Sequence, residues 1–123
     1  MIRTMATVNE AVDTYIATWN EFDEGKRRRL ITEGWAEQAS YTDPHYAVRG
    51  HDEIDAMIAG AQTQFADHSI ALAAGPDAHH DRARFVWHLL PPGGGEPLVV
   101  GVDVAIVDAS GRISEVSGFR GVL

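Results

Sequence analysis

The hydrophobic period of the chain changes once, at Phe65, and that change constrains the fold more tightly than any other feature. Before it, apolar residues recur at spacings of three and four. Val8, Val12, Tyr15, Trp19 and Phe22 predict a helix over 7–22, and Ile54, Met57, Ile58, Ala61 and Phe65 predict another over 52–65. Thr7 with Glu10 three positions on reads as a capping box at the start of the first. A shorter helix is predicted between them, from about Asp23 through Leu30 and Ile31 to Trp35, then a brief extended stretch, 39–42, closed by Asp43-Pro44. Beyond Phe65 the segments 69–74, 83–90, 98–107 and 113–119 read as strands. Gly75-Pro76-Asp77, the run from Pro91 to Gly95 and the run from Asp108 to Gly111 separate them. Such short connections imply an antiparallel meander. Helices first and strands afterwards predict an α+β domain, with three N-terminal helices packed on the concave face of a curved, mostly antiparallel sheet. At 123 residues the chain suits one domain, 1–123, with a single ligand-sized pocket.

Segment 98–107 has two faces of different composition. Leu98, Val100, Val102, Val104 and Ile106 make one wholly aliphatic face. The other carries Val99, Gly101, Asp103, Ala105 and Val107, so a carboxylate sits between two very small residues, as in a hollow. Three helices cover only one side of a sheet. The aliphatic face therefore predicts a homodimer packed through the outer face of the sheet, the alternative being that the C-terminal strands wrap over the sheet edge.

The charge balance narrows the partners. Lys plus Arg total 10 against 18 Asp plus Glu, a net charge of −8, which repels a phosphate backbone, so nucleic acid is not expected. No stretch approaches the ~20 apolar residues of a membrane span, and the N-terminal segment lacks an apolar secretory core, so a cytoplasmic protein is expected. With no cysteine, disulfides, thiol nucleophiles and thiolate metal sites are excluded.

Asp103 is the first candidate for chemistry. A carboxylate on the inward face of a central strand costs several kcal/mol if charged and unpaired, so it is expected to be protonated or paired. The alternative is a structural acid bonded to backbone or to a buried Arg. Asp43 ends an extended segment beside Pro44, where the chain can aim it at a cavity mouth, or where it serves simply as a turn-initiating Asp. Tyr15 lies one helical turn from Trp19 on the buried face, as a catalytic hydroxyl or as a core tyrosine.

These residues also carry a resemblance. Tyr15-Ile16-Ala17-Thr18, Asp23, Tyr41-Thr42-Asp43-Pro44, Val102-Asp103-Val104 and the run from Asp108 through Gly111-Arg112-Ile113 resemble, in order and spacing over most of the chain, the ketosteroid isomerases. Similar punctuation marks the wider nuclear transport factor 2-like superfamily, with its SnoaL-like polyketide cyclases. The resemblance implies a cone-shaped fold and a small, cofactor-free enzyme acting by enolisation of an apolar carbonyl compound, steroid-like or polyketide-like. It makes Asp43 the base that removes a proton beside the carbonyl. Tyr15 and Asp103 become hydrogen-bond donors to the developing enolate, a role a carboxyl group fills only when an apolar site keeps it protonated. Alternatives stay open: a non-catalytic dimer binding a small ligand or a protein in the same cavity, or water activation as in the related epoxide hydrolases should Arg84 or Arg112 enter the pocket and bridge the two acids.

Trp19, Trp35, Met57, Phe85, Trp87 and Phe119 are the expected pocket lining, core packing being the competing role for each. His79 and His80, adjacent on an extended segment, should point to opposite faces and share no metal. His45 and His51 bracket the turn beside Asp43 and either orient it or face solvent. Lys26-Arg27-Arg28-Arg29 reads as a solvated face, and Arg84 with His88 as outward-facing.

Overall fold

A computed structural model describes residues 5–121, with side chains from Val8 onward. Helices α1 (Met5–Asn20) and α2 (Glu24–Gly34) come first, followed by strands β1 (Trp35–Thr42) and β2 (Ala47–Arg49) and helix α3 (His51–Gln64). The meander β3 (Ser69–His79), β4 (Arg82–Leu90), β5 (Val99–Val107) and β6 (Ile113–Arg120) completes the chain. The six strands form one curved, unclosed sheet in the order β2-β1-β6-β5-β4-β3. Every pairing is antiparallel except β1 with β6.

Local chemistry explains most boundaries. Asp23 stands in an extended conformation before α2 and accepts the Lys26 N–H at 2.9 Å, satisfying one of the donors a helix start leaves open. α1 is already helical at Met5, so Thr7 lies inside it and not at its cap. Trp35, expected to finish the second helix, begins β1. The largest departure is at Gly75-Pro76-Asp77, expected to be a turn. β3 runs through it to His79, with register shifts on either side of Ala74 and Gly75 in the left-handed region at φ 91°. A proline is tolerated there because β3 is an edge strand with no neighbour on its outer side. The chain turns instead at His80, φ 52°, which brings the His79 and His80 rings to 5.6 Å and not to opposite faces.

The helices cover the concave face. Trp35, Ile31, Ile54, Ile58, Phe85, Ile113 and Val116 are fully buried between the layers, and this apolar area removed from water is the main favourable term in folding. The charged run at 26–29 is not uniformly solvated. Arg27 is 4% exposed; its Nε donates to Asp55 at 2.7 Å and its Nη1 to Gln62 at 2.8 Å, which ties α2 to α3. On the convex face Val100, Val102, Val104 and Ile106 are half-buried, and Phe119 and Leu98 are exposed. No helix among the described residues is long and apolar enough to cross a membrane.

Candidate active site

Register places the site. Trp87, Gly101 and Arg120 face one another across β4, β5 and β6, and Phe85, Asp103 and Gly118 form the adjacent row. Gly101 lacks the Cβ that would overlap the Trp87 ring, so the indole lies across it. The hollow expected beside Asp103 is therefore occupied by Trp87, whose Nε1 donates to Asp103 Oδ1 at 2.9 Å. Tyr15, reaching in from α1, donates its hydroxyl to Asp103 Oδ2 at 2.5 Å. Gly118 makes room on the other side: a Cβ there would stand 2.8 Å from Asp103 Oδ1 and 3.4 Å from the Asp43 Cβ. Asp103 is wholly buried, and burial pushes its carboxyl above the ordinary range, with the Tyr15 and Trp87 bonds offsetting this only in part.

Asp43 has the opposite environment. Its Oδ1 accepts the backbone N–H groups of His45 at 2.7 Å and Tyr46 at 2.8 Å, closing the turn that Pro44 starts. Its Oδ2 accepts the Tyr41 hydroxyl at 2.7 Å and Arg120 Nη2 at 2.8 Å. Burial acts to raise this carboxyl, but the bonds from Tyr41, the two N–H groups and Arg120 outweigh it and hold the group below the usual carboxylate range. The Arg120 guanidinium also lies over the Trp87 ring, 5.2 Å from its centroid. Burial, followed by the nearby Asp103 charge, pushes both tyrosines well above the ordinary phenol value, so each stays a neutral hydroxyl.

In front of these groups opens a cavity of about 420 Å³ whose wall includes Tyr15, Trp19, Tyr41, Asp43, Trp87 and Arg120. Of the expected lining, Trp19 and Trp87 are present. The other four are not. Trp35 is fully buried and donates its indole N–H to the Thr18 hydroxyl at 3.3 Å, and Met57 is packed in the core on α3. Phe85 lies beneath Tyr15 with ring centroids 5.4 Å apart. Phe119 pairs with Val102 on the convex face and is 61% exposed. Asp103 stands behind the wall, screened by Tyr15 and Trp87.

Two site residues escaped the sequence reading, although strand alternation marks both. Tyr41 is two positions from Asp43 on one face, and Arg120 follows Val116 and Gly118 on the inward face of β6. Arg84 pairs with Asp77 at the surface and Arg112 is exposed, so neither enters the cavity. His51 contacts the backbone carbonyls of Trp35 and Ala36, and His45 lies at the cavity mouth.

No family model matches the chain, and no curated protein does. Solved structures do. A candidate isomerase of the SnoaL-like family from Agrobacterium tumefaciens is 37% identical, with a TM-score of 0.89 over 96% of this chain and 100% of its own. A SnoaL-like protein of unknown function from Burkholderia thailandensis is 15% identical, with a TM-score of 0.74 over 98% and 99%. A nuclear transport factor 2-like protein of unknown function from Exiguobacterium is 18% identical, with a TM-score of 0.71 over 92% and 99%. The last two speak for the fold alone; on the identity and coverage of the first, the chain belongs to the SnoaL-like family, with the cone-shaped nuclear transport factor 2-like α+β fold.

Proposed function

We propose that the chain is an isomerase- or cyclase-like enzyme that enolises an apolar carbonyl compound in this cavity without a cofactor. The observation that carries the reading is the opposite pull on two neighbouring acids: four donors hold Asp43 ionised, while burial drives Asp103 toward its neutral form. Trp87 N–H occupies Asp103 Oδ1, so a proton taken up by Asp103 goes to Oδ2 and reverses the bond there: Tyr15 donates to the ionised acid, and the neutral acid donates to the Tyr15 oxygen. Tyr15 is then free to turn its own O–H to a carbonyl oxygen in the cavity. Asp43 Oδ2 takes the proton from the carbon beside that carbonyl, the C–H electron pair becomes the enolate, and the negative oxygen rests on the Tyr15 hydroxyl. Returning the proton to a different carbon gives an isomer; attack of the enolate carbon on a second carbonyl of the same molecule forms the ring bond, moves the C=O π pair onto that oxygen, and the oxygen takes back the proton held by Asp43. Asp103 thus acts through Tyr15 instead of touching the ligand. To accept a proton, Oδ2 must exchange one bond, and the Arg120 bond is the one with a solvent-facing donor, since the Arg120 side chain is 31% exposed and Tyr41 is 2% exposed.

The saturation of both Asp43 oxygens favours a second reading, a binding module in which the Asp43–Arg120 pair is purely structural. An Arg bonded to both acids, which water activation would favour, is not seen among the described residues: Arg120 bonds Asp43, while the partners of Asp103 are Tyr15 and Trp87. Exchange of the α-protons of 2-tetralone in heavy water, followed by NMR, separates the first two. Protein-dependent exchange that saturates with ketone is expected; ketone bound with exchange at the buffer rate leaves the binding module.

We also propose that two copies pair through the convex face, on the strength of the half-buried Val100, Val102, Val104 and Ile106 and the exposed Phe119. Light scattering should give twice the 13.4 kDa of one chain, and Val102→Glu should return it to one. A monomeric wild type rules the pairing out.

A further inference from the structure

Arg120 is unusual among the groups of the cavity wall. A guanidinium carries five N–H donors in a planar fork. Arg120 Nη2 donates to Asp43 Oδ2 at 2.8 Å, the Tyr41 hydroxyl lies beside it, and these two neighbours do not use the whole fork. The Arg120 Cζ lies 5.2 Å from the centroid of the Trp87 ring, its Nη2 is held by the Asp43 carboxylate, and the side chain is still 31% exposed. A donor array that is oriented, charged, partly open and part of a largely aromatic wall is what a flat anionic group recognises, because a carboxylate meets the fork with two parallel hydrogen bonds. The local charge permits this despite the acidic balance of the whole chain. Arg120 faces the single carboxylate of Asp43, while Asp103, behind the wall, is driven by burial toward the neutral acid. The other titratable groups of the wall are His45 and His68, which carry no negative charge, and the hydroxyls of Tyr15, Tyr41 and Tyr46.

We propose that Arg120 is the docking group for a ligand carboxylate, so that the cavity selects flat, apolar carbonyl compounds bearing an acidic group over their neutral counterparts. This rests on the reading of the cavity as a ligand site and names the class of ligand it takes. Asp43 and Trp87 are its positioning residues before a ligand enters: Asp43 Oδ2 accepts from its Nη2, and the Trp87 ring lies against it; the ligand carboxylate then takes over the partner role when Asp43 Oδ2 exchanges that bond.

The test is isothermal titration with 2-naphthoate and 2-naphthamide at neutral pH. The two have the same ring system and differ in charge. Neither can enolise, so the result is independent of turnover. Naphthoate is expected to bind about 10-fold more tightly or better, the scale of one charge-assisted contact. Arg120→Gln should remove the preference, bringing the ratio of the two affinities close to one, and Arg120→Lys, which keeps the charge but not the fork, should retain part of it. Thermal melts of both variants check folding, and the wild-type comparison stands without them. Equal affinities in the wild type, a preference that survives Arg120→Gln, or binding of neither probe by folded protein would overturn the proposal. Exchange of 2-tetralone with equal probe affinities would sink only the carboxylate dock; a carboxylate preference without exchange would sink only the enolisation.

Discussion

Asp43→Asn is expected to slow 2-tetralone α-proton exchange by about 100-fold or more, and Tyr15→Phe by a similar factor, the usual scale for a lost general base or a lost oxyanion donor. The substitutions are close to isosteric. The asparagine side chain retains an oxygen for the His45 and Tyr46 N–H groups and so keeps the turn, but it has no charge to accept a proton. The phenylalanine ring keeps the packing against Trp35 and Phe85 while removing the hydroxyl. The pH profile should differ from that of a base titrating near neutrality. The wild-type rate should fall only as pH drops into the range below ordinary carboxylates, where Asp43 takes up its proton. An Asp43→Asn variant exchanging at the wild-type rate would remove the base from the mechanism, whatever the protein as a whole does.

Asp103→Asn is expected to stabilise the protein at neutral pH and to abolish part of its pH dependence. The folded-state pKa of Asp103 lies above its unfolded value, so the folded state holds a proton that the unfolded chain, with an ordinary pKa of about 3.9, releases first. Between those two values the wild type loses about 1.4 kcal/mol of stability per unit rise in pH, and above the folded pKa the loss is complete and constant. Asparagine mimics the protonated acid: its oxygen accepts from Trp87 Nε1 and its amide donates to the Tyr15 oxygen. Asp43 works in the other direction. Its depressed pKa gives stability that is present above the unfolded value and lost as pH falls through the folded one. Urea unfolding from pH 3 to pH 8 should therefore show an Asp103-dependent loss of wild-type stability that begins near the ordinary carboxylate range and levels off above the raised folded-state pKa, with that loss missing in Asp103→Asn. Parallel wild-type and variant profiles would mean that Asp103 is ionised at neutral pH in the folded protein, and the proton assigned to its Oδ2 would have to be withdrawn.

What the sequence made legible was whatever depends on local period. The change at Phe65 separated helices from strands, and alternation along β5 put Asp103 inward and the valines outward. Long-range register was hidden. That Gly101 faces Trp87, and is covered by it, follows from the pairing of β4 with β5 and from nothing within either strand. The assignment of Phe119 to the pocket came from residue type, where alternation from Val116 through Gly118 put Arg120 inward and Phe119 out. Trp35, Met57 and Phe85 show the same bias: large apolar side chains satisfy the requirements of a core and of a binding wall equally, and only the path of neighbouring elements distinguishes them. Proline at position 76 misled because its punctuation is strong in a central strand and weak at an edge. Arg27 was hidden by its basic neighbours, since burial of one residue in a charged run depends on acids supplied by a different helix.

The place of β6 between β1 and β5 bears on how the chain reaches this state. The four strands of the meander join neighbours in sequence, so their hairpins close with little loss of chain entropy. β1 can join only through a parallel ladder to β6, with Tyr41 beside Val116, across most of the chain. That docking is expected to be the late, slow event. Tyr15, Tyr41 and Asp43 arrive with the helical half, while Trp87, Asp103 and Arg120 wait on the meander. A half-assembled chain therefore holds only half of the site, and competence to bind appears with the last step of folding.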